Sequence, residues 1–169
     1  MLSVIDAFTR ECLALEVNTG FAGCRMTRVL EQVMAQRGRP LAIHCDNGPE
    51  LTSRHFLAWA VEWKIDLRHI QPGKPTQNAH VESFHARLRE ECLHVSWFTN
   101  LFDARRKITR WQKEYNHQRP HSSLGYRTPA EFAQVCAWSH GKDADRICLE
   151  NTSGVSHFSI TPEATADLT

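Results

Sequence analysis

Two acids of this 169-residue chain sit where metal chemistry would want them. Asp46 closes a short apolar run, Leu41 to Cys45, just before the chain-breaking Asn47, Gly48 and Pro49. Glu82 follows the segment 71–77, which two prolines and a glycine force into an irregular loop. Thirty-five residues lie between the two acids. Magnesium is a hard cation that prefers carboxylate oxygens and keeps waters and substrate phosphate as its other ligands. Carboxylates on rigid elements can hold two such ions about 4 Å apart, activating an attacking oxygen and stabilising a leaving one. A site of that kind cuts or transfers phosphodiesters without a covalent enzyme intermediate. Each acid alone also has a plainer use, because Asp before Asn-Gly is a common turn residue and the helix dipole favours a Glu near a helix N-terminus.

The elements that would position these acids follow from periodicity. Leu2 to Ile5 and Leu13, Leu15 and Val17 read as two strands of an antiparallel hairpin. Met26, Val29, Leu30, Val33 and Met34 fall at helical spacing, with Gly38 and Pro40 as stop signals. Leu41 to Cys45 is the next strand, delivering Asp46 to its carboxyl end. A helix from about Ser53 to Lys64 and a strand from Ile65 to Ile70 come next, giving the order β-β-α-β-α-β. After the irregular loop, Asn78 is a good N-cap for a helix with Val81, Phe84, Leu88 and Cys92 on one stripe and Glu82 near its first turn. A further helix spans roughly Phe102 to Tyr115. Thr128, Pro129 and Glu131 form a capping box with proline at the first helical position, opening a last short helix.

Composition is that of a globular protein, with 41% hydrophobic and 23% charged residues. No apolar run approaches the length of a membrane helix and no signal sequence opens the chain, so the expected location is cytoplasmic, with no membrane partner. Six cysteines at 12, 24, 45, 92, 136 and 148 form no C-x-x-C pair and read as reduced thiols. His80 with His85, or His117 with His121, could be half of a zinc site, but no cysteine pair at ligand spacing accompanies them. The net charge of +1 hides an asymmetry. Between 105 and 127, Arg105, Arg106, Lys107, Arg110, Lys113, Arg119 and Arg127 face only Glu114, whereas the segment 139–169 is acidic. The basic run suits either a phosphate-facing surface or a solvated helix face. The expected organisation is a core over residues 1–138 and a polar, acidic, disordered tail over residues 139–169.

Several words of the sequence together resemble the integrase core of bacterial insertion-sequence transposases, a family related to retroviral integrases. They are Val4 to Arg10, His44 to Glu50, Pro72 to Phe84, Trp111 with Tyr115 to His121, Leu124-Gly125, and Thr128 to Phe132. The words occur in order at the family's separations, over about residues 2 to 135. The resemblance implies an α/β, ribonuclease-H-like mixed sheet flanked by helices, in which two Asp and one Glu bind two Mg²⁺ or Mn²⁺ ions. Asp46 matches the second acid and Glu82 the third, as catalytic and metal-binding residues. It further implies that Asn47, beside the metal, and Lys74, Gln77 and Asn78, in the loop before the Glu82 helix, lie near DNA. Arg119 and His121 belong to the family's Tyr-Asn-x-x-Arg-Pro-His segment, and either contact DNA or, with Tyr115 and Asn116, brace the last helix. Implied partners are DNA, as transposon ends and target, and further copies of the chain or an intact transposase.

The family's first acid lies on an opening strand that precedes the Val-Ile-Asp-x-Phe-Thr-Arg word, and here only Met1, Leu2 and Ser3 precede it. The expectation is a sheet lacking its first strand, weakened metal binding, little strand transfer and an exposed, aggregation-prone sheet edge. Asp6 matches another family position, where capping a turn and pairing with Arg10 is its expected role. The region that finds transposon ends is also missing, so sequence-specific recognition is not expected of this chain alone. Two functions follow: a transposase core for DNA transposition and integration, catalytically impaired, or a non-catalytic DNA-binding or regulatory remnant. A cellular nuclease of the same fold would explain Asp46 and Glu82 but not the Pro-Gly-Lys-Pro loop or the Arg-Pro-His turn.

Overall fold

Caps and stop residues fix the ends of several helices. Helix α1 (Gly23–Arg37) buries Met26, Val29, Leu30, Val33 and Met34 on one stripe. It stops at Gly38, whose φ of 84° favours glycine and whose N–H bonds the Met34 carbonyl. Ser53 caps α2 (Arg54–Glu62) by accepting from the Phe56 N–H at 3.3 Å, and α2 buries Phe56, Trp59 and Ala60. Asn100 caps α4 (Leu101–Gln118) through the Asp103 N–H at 2.9 Å. The capping box of α5 (Pro129–His140) closes in both directions, Thr128 N–H to Glu131 Oε2 at 2.9 Å and Glu131 N–H to Thr128 Oγ1 at 3.2 Å. Helix α3 (Ala79–Leu88) runs on into a π-helical turn, Arg89–Leu93. The computed structural model describes residues 1–20, 22–69, 79–140 and 157–162.

The strands are β1 (Leu2–Asp6), β2 (Cys12–Glu16), β3 (Ala42–Cys45), β4 (Asp66–His69) and β5 (His157–Pro162). They form one mixed sheet in the order β2-β1-β5-β3-β4. Strand β1 is antiparallel to both β2 and β5, and β3 is parallel to both β4 and β5. This is the expected mixed sheet flanked by helices. The sequence reading did not foresee which segment fills its centre. Strand β5 comes from the region read as a polar acidic tail, and its Phe158, Ser159 and Ile160 are all buried. The inner edges of β1 and β3, expected to lie open, are both paired with it.

Period-two alternation assigns the two faces. Leu2, Val4, Phe158, Ile160, Ile43 and Cys45 share a cluster with α1 and α2. Ile5, Cys12 and Leu15 point to the other face, against Val81, Phe84 and Leu88 of α3 and Ile108, Trp111 and Tyr115 of α4. On this second side Phe84 is ringed by Trp111 and Tyr115, with centroids 5.4 and 5.0 Å away. Asn116 joins α4 to β2, its Oδ1 accepting from the Cys12 N–H and its Nδ2 donating to the Cys12 carbonyl, both at 2.9 Å. All of these groups are buried, so Asn116→Ala strands a backbone donor. We expect it to cost about 2 kcal/mol, measured as a lower urea midpoint at unchanged slope.

Candidate active site at the carboxyl end of the central strands

Asp46 follows directly on β3 and is half-buried. Its Oδ1 accepts the Gly48 N–H at 2.8 Å, which makes it the turn residue that Asp-Asn-Gly suggests and leaves Oδ2 outside that bond. The His69 Nδ1 lies 3.2 Å from the Asp46 carbonyl oxygen. A carbonyl can only accept, so in this contact Nδ1 carries the proton. Burial pushes the Asp46 carboxyl above the ordinary carboxylate range and Glu50 pushes it the same way, while the Gly48 N–H, His69 and His85 act against the shift.

Glu82 stands in the first turn of α3 and is exposed. Its neighbours on α3 show where that turn lies. His80 Nε2 is 3.1 Å from Ser159 Oγ on β5, and His85 Nε2 is 2.8 Å from Ser3 Oγ on β1. In the sheet register Ser159 is level with His44, and Cys45 is level with Ile160. Helix α3 thus crosses the sheet beside the end of β3. The alternation that puts Ile43 and Cys45 on the α1 and α2 side carries His44, and Asp46 one step beyond β3, to the α3 side. His85, one turn after Glu82, is near enough to act electrostatically on the Asp46 carboxyl. Burial pushes the His80 imidazole down to about 4, with Arg10 and His44 adding to the push, so at neutral pH it is uncharged.

The remaining expected residues are distributed as follows. Asn47 is exposed next to Asp46. Lys74, Gln77 and Asn78 lie outside the described residues. Arg119 pairs with Glu91 of the π-helical turn, and Glu91 also accepts from Trp111 Nε1 at 3.1 Å. Arg119, Glu91 and Glu114 line an open cleft of about 370 Å³ with Trp111, Tyr115 and Gln118. His121 packs its ring edge-on against Tyr115, with centroids 5.1 Å apart. Asp6 Oδ1 accepts from the Phe8 N–H at 2.8 Å and the Thr9 N–H at 3.2 Å, the turn-capping role expected of it.

Sequence reasoning missed His69, Ser3 and Ser159 and weighed His85 only as half of a zinc site, because the contacts that bring them here span long stretches of chain. Among the described residues no group of three His, Cys, Asp or Glu side chains is arranged to hold a metal ion. Carboxylates near this strand end include those of Asp46, which follows β3, and Glu82, in the first turn of α3. Hard oxygen ligands of this kind suit Mg²⁺ or Mn²⁺, which complete their shells with water and phosphate. No helix among the described residues is long and apolar enough to cross a membrane.

The chain is similar to several known proteins. Two integrase core domain profiles match the chain, one over residues 1–75 and one over residues 63–129. An uncharacterized 39.2 kDa protein of insertion element IS476 from Xanthomonas euvesicatoria is 48% identical over 132 residues, covering 78% of this chain and 38% of that protein. A 31.7 kDa protein of insertion element IS407 from Burkholderia multivorans is 47% identical over 132 residues, covering 78% of this chain and 48% of that protein. The chain therefore spans less than half the length of these curated relatives. Among solved structures, the catalytic core of BIV integrase superposes with a TM-score of 0.64 at 17% identity, covering 83% of this chain and 90% of that one. The HTLV-2 integrase catalytic core in complex with magnesium gives 0.57 at 20% identity, covering 78% and 82%. At these identities the structural likeness speaks for the fold.

Proposed function

The chain belongs to the integrase core domain family of insertion-element transposases, and we propose that it is the part of a DNA transposase that cuts and joins phosphodiesters at the carboxyl end of β3. The observation that carries this reading is the seating of α3 across the sheet, His80 on Ser159 and His85 on Ser3, which brings the Glu82 turn to the side where Asp46 leaves β3. Asp46 and Glu82 would hold Mg²⁺ or Mn²⁺, and the bound ions would supply activation of the attacking oxygen and stabilisation of the leaving one. The chain's own part is to fix one Asp46 oxygen on the Gly48 N–H, to hold the strand end through His69, and to brace the Glu82 helix on the sheet.

DNA is the proposed substrate, as transposon ends and target, and further copies of the chain or an intact transposase are the proposed assembly partners. Asn47, Lys74, Gln77 and Asn78 would meet DNA beside the acids, and Arg119 and His121 would meet it along α4. With two carboxylates and no third ligand among the described residues, the expected metal affinity is weak and turnover slow. That same observation favours the second reading, a non-catalytic DNA-binding or regulatory fragment.

Strand transfer on donor-end duplex DNA, with Mg²⁺ or Mn²⁺, separates the two. The first reading expects slow product formation that requires metal and DNA. Binding of the duplex with no product in either metal gives the second reading. Failure to bind duplex DNA at all rejects both.

A further inference from the structure

Tyr115 is the hinge of a basic cluster that the acids do not use. Its ring sits between Phe84 of α3 and His121 of the turn after α4, with centroids 5.0 and 5.1 Å away. Three other elements bring charge to this spot. Arg10 lies two residues before Cys12, which Asn116 clamps to α4 beside Tyr115. Arg87 lies one turn beyond Phe84 on α3. Arg119 precedes His121 by two residues, and its charge is already engaged by Glu91. Two features stand out. The Nε2 of His121 is buried without a hydrogen-bond partner among the described residues, which is costly unless a ligand supplies one. Arg10 holds a left-handed φ of 62° at a turn where Asn or Gly would sit without strain. Strain of that kind persists only where the surrounding structure holds the residue in place.

We propose that Arg10, Arg87 and His121 form a niche for one phosphate group, of a DNA backbone or free in solution. The fork of a guanidinium matches phosphate oxygens two at a time, and the orphaned imidazole nitrogen completes the donor set. Charge agrees with this assignment. Burial lowers the His121 pKa, and the positive charges of Arg87, Arg119 and Arg10 act on the ring in the same direction. Burial also works against the Arg10 charge, which Tyr115 and Asp6 help to keep. The acids in reach are Asp6, whose carboxyl already serves the turn, and Glu91, which holds Arg119. An incoming phosphate therefore meets a net positive site. This niche deepens the proposed DNA-binding role of His121 and adds two residues to it.

The test uses the full chain and the variants Arg10→Asn and Arg87→Gln, with two probes: a duplex oligonucleotide followed by fluorescence anisotropy against salt, and inorganic phosphate followed through the His121 ring ¹⁵N signals. Each variant is expected to bind the duplex about tenfold more weakly, with a salt slope smaller by about one. Arg10→Asn should at the same time melt no lower than the parent, because the turn relaxes; a bracing role for Arg10 would instead lower the melting temperature. Inorganic phosphate that shifts the His121 ring signals only in the parent, with duplex binding unchanged in the variants, assigns the niche to free phosphate. Unchanged duplex binding and unmoved ring signals overturn the proposal. Strand transfer that still depends on Asp46 and Glu82 would then leave the catalytic reading intact, so the two ideas fail separately.

Discussion

Ending the chain at His140 is expected to abolish cooperative folding, although the residues removed look in sequence like a dispensable tail. The loss falls in the middle of the sheet. Strand β5 pairs with β1 from Leu2↔Pro162 to Asp6↔Phe158 and with β3 from Ala42↔His157 to Cys45↔Ile160. Without it both inner edges lose their backbone partners, and buried N–H and C=O groups that find none are expensive. Phe158 and Ile160 are 0% and 1% exposed in the cluster shared by α1 and α2. Truncating a buried Phe or Ile to Ala costs about 2–5 kcal/mol each, against a total stability of about 5–15 kcal/mol for a domain. The point variant Phe158→Ala should accordingly lower stability by about 3–5 kcal/mol, read as a lower urea midpoint. The truncated chain should lose its near-ultraviolet circular dichroism and its sigmoidal melt, and a peptide covering 157–162 added in trans should recover part of both. A truncated chain that melts as the parent does would make β5 a surface appendage.

This strand also marks where the sequence stops being legible, and why. Helices α1, α2 and α5 are readable because each carries local information, an apolar stripe with its stop residues in α1, an N-cap and apolar face in α2 and a capping box in α5. A strand buried in the centre of a sheet usually declares itself as a continuous apolar run. Strand β5 offers only Phe158 and Ile160 around Ser159, inside a segment of polar and acidic residues. Its identity lies in partners more than 100 residues away, β1 and β3. The same division runs through the candidate site. Asp46 and Glu82 could be picked out because one ends an apolar strand and the other opens a helix after a proline-rich loop. The side chains that seat that helix, Ser3, His85 and Ser159, belong to three separate elements. The turn role of Asp46 and its proposed metal role prove compatible, since the Gly48 bond occupies a single oxygen.

Asn116 shows how a word can be recognised while its job is not. The Tyr-Asn-x-x-Arg-Pro-His segment suggested both bracing and DNA contact. The structure gives Asn116 to bracing, through both of its amide atoms on Cys12. Arg119 is paired with Glu91, so a phosphate reaching it would have to share that guanidinium. His121 has a ring nitrogen without a hydrogen-bond partner among the described residues, and the charges of Arg87, Arg119 and Arg10 act on that ring, so it is open to a ligand.

The largest expected effect on activity is that of Asp46→Asn or Glu82→Gln, and its form is more informative than its size. If the two carboxylates serve one metal pair, either substitution would remove the function of both, because each acid would be needed to hold the ions that supply activation and charge stabilisation. Each single variant should therefore lose at least about 100-fold in strand transfer, comparable to removing one charge-stabilising group from other active sites. The double variant should lose no more than the worse single one, the non-additivity seen when residues act as a unit. Stability gives an independent reading. Asp46 is half-buried with its carboxyl raised by desolvation, so the neutral Asp46→Asn should fold at least as well as the parent and bind Mn²⁺ more weakly. Thermal melts with and without Mn²⁺ would record this, since a ligand that binds only the folded chain raises the melting temperature in step with its affinity. Two losses that simply multiply, or a Mn²⁺ shift that survives both substitutions, would place the acids in separate roles and remove the basis for a shared metal site at the end of β3.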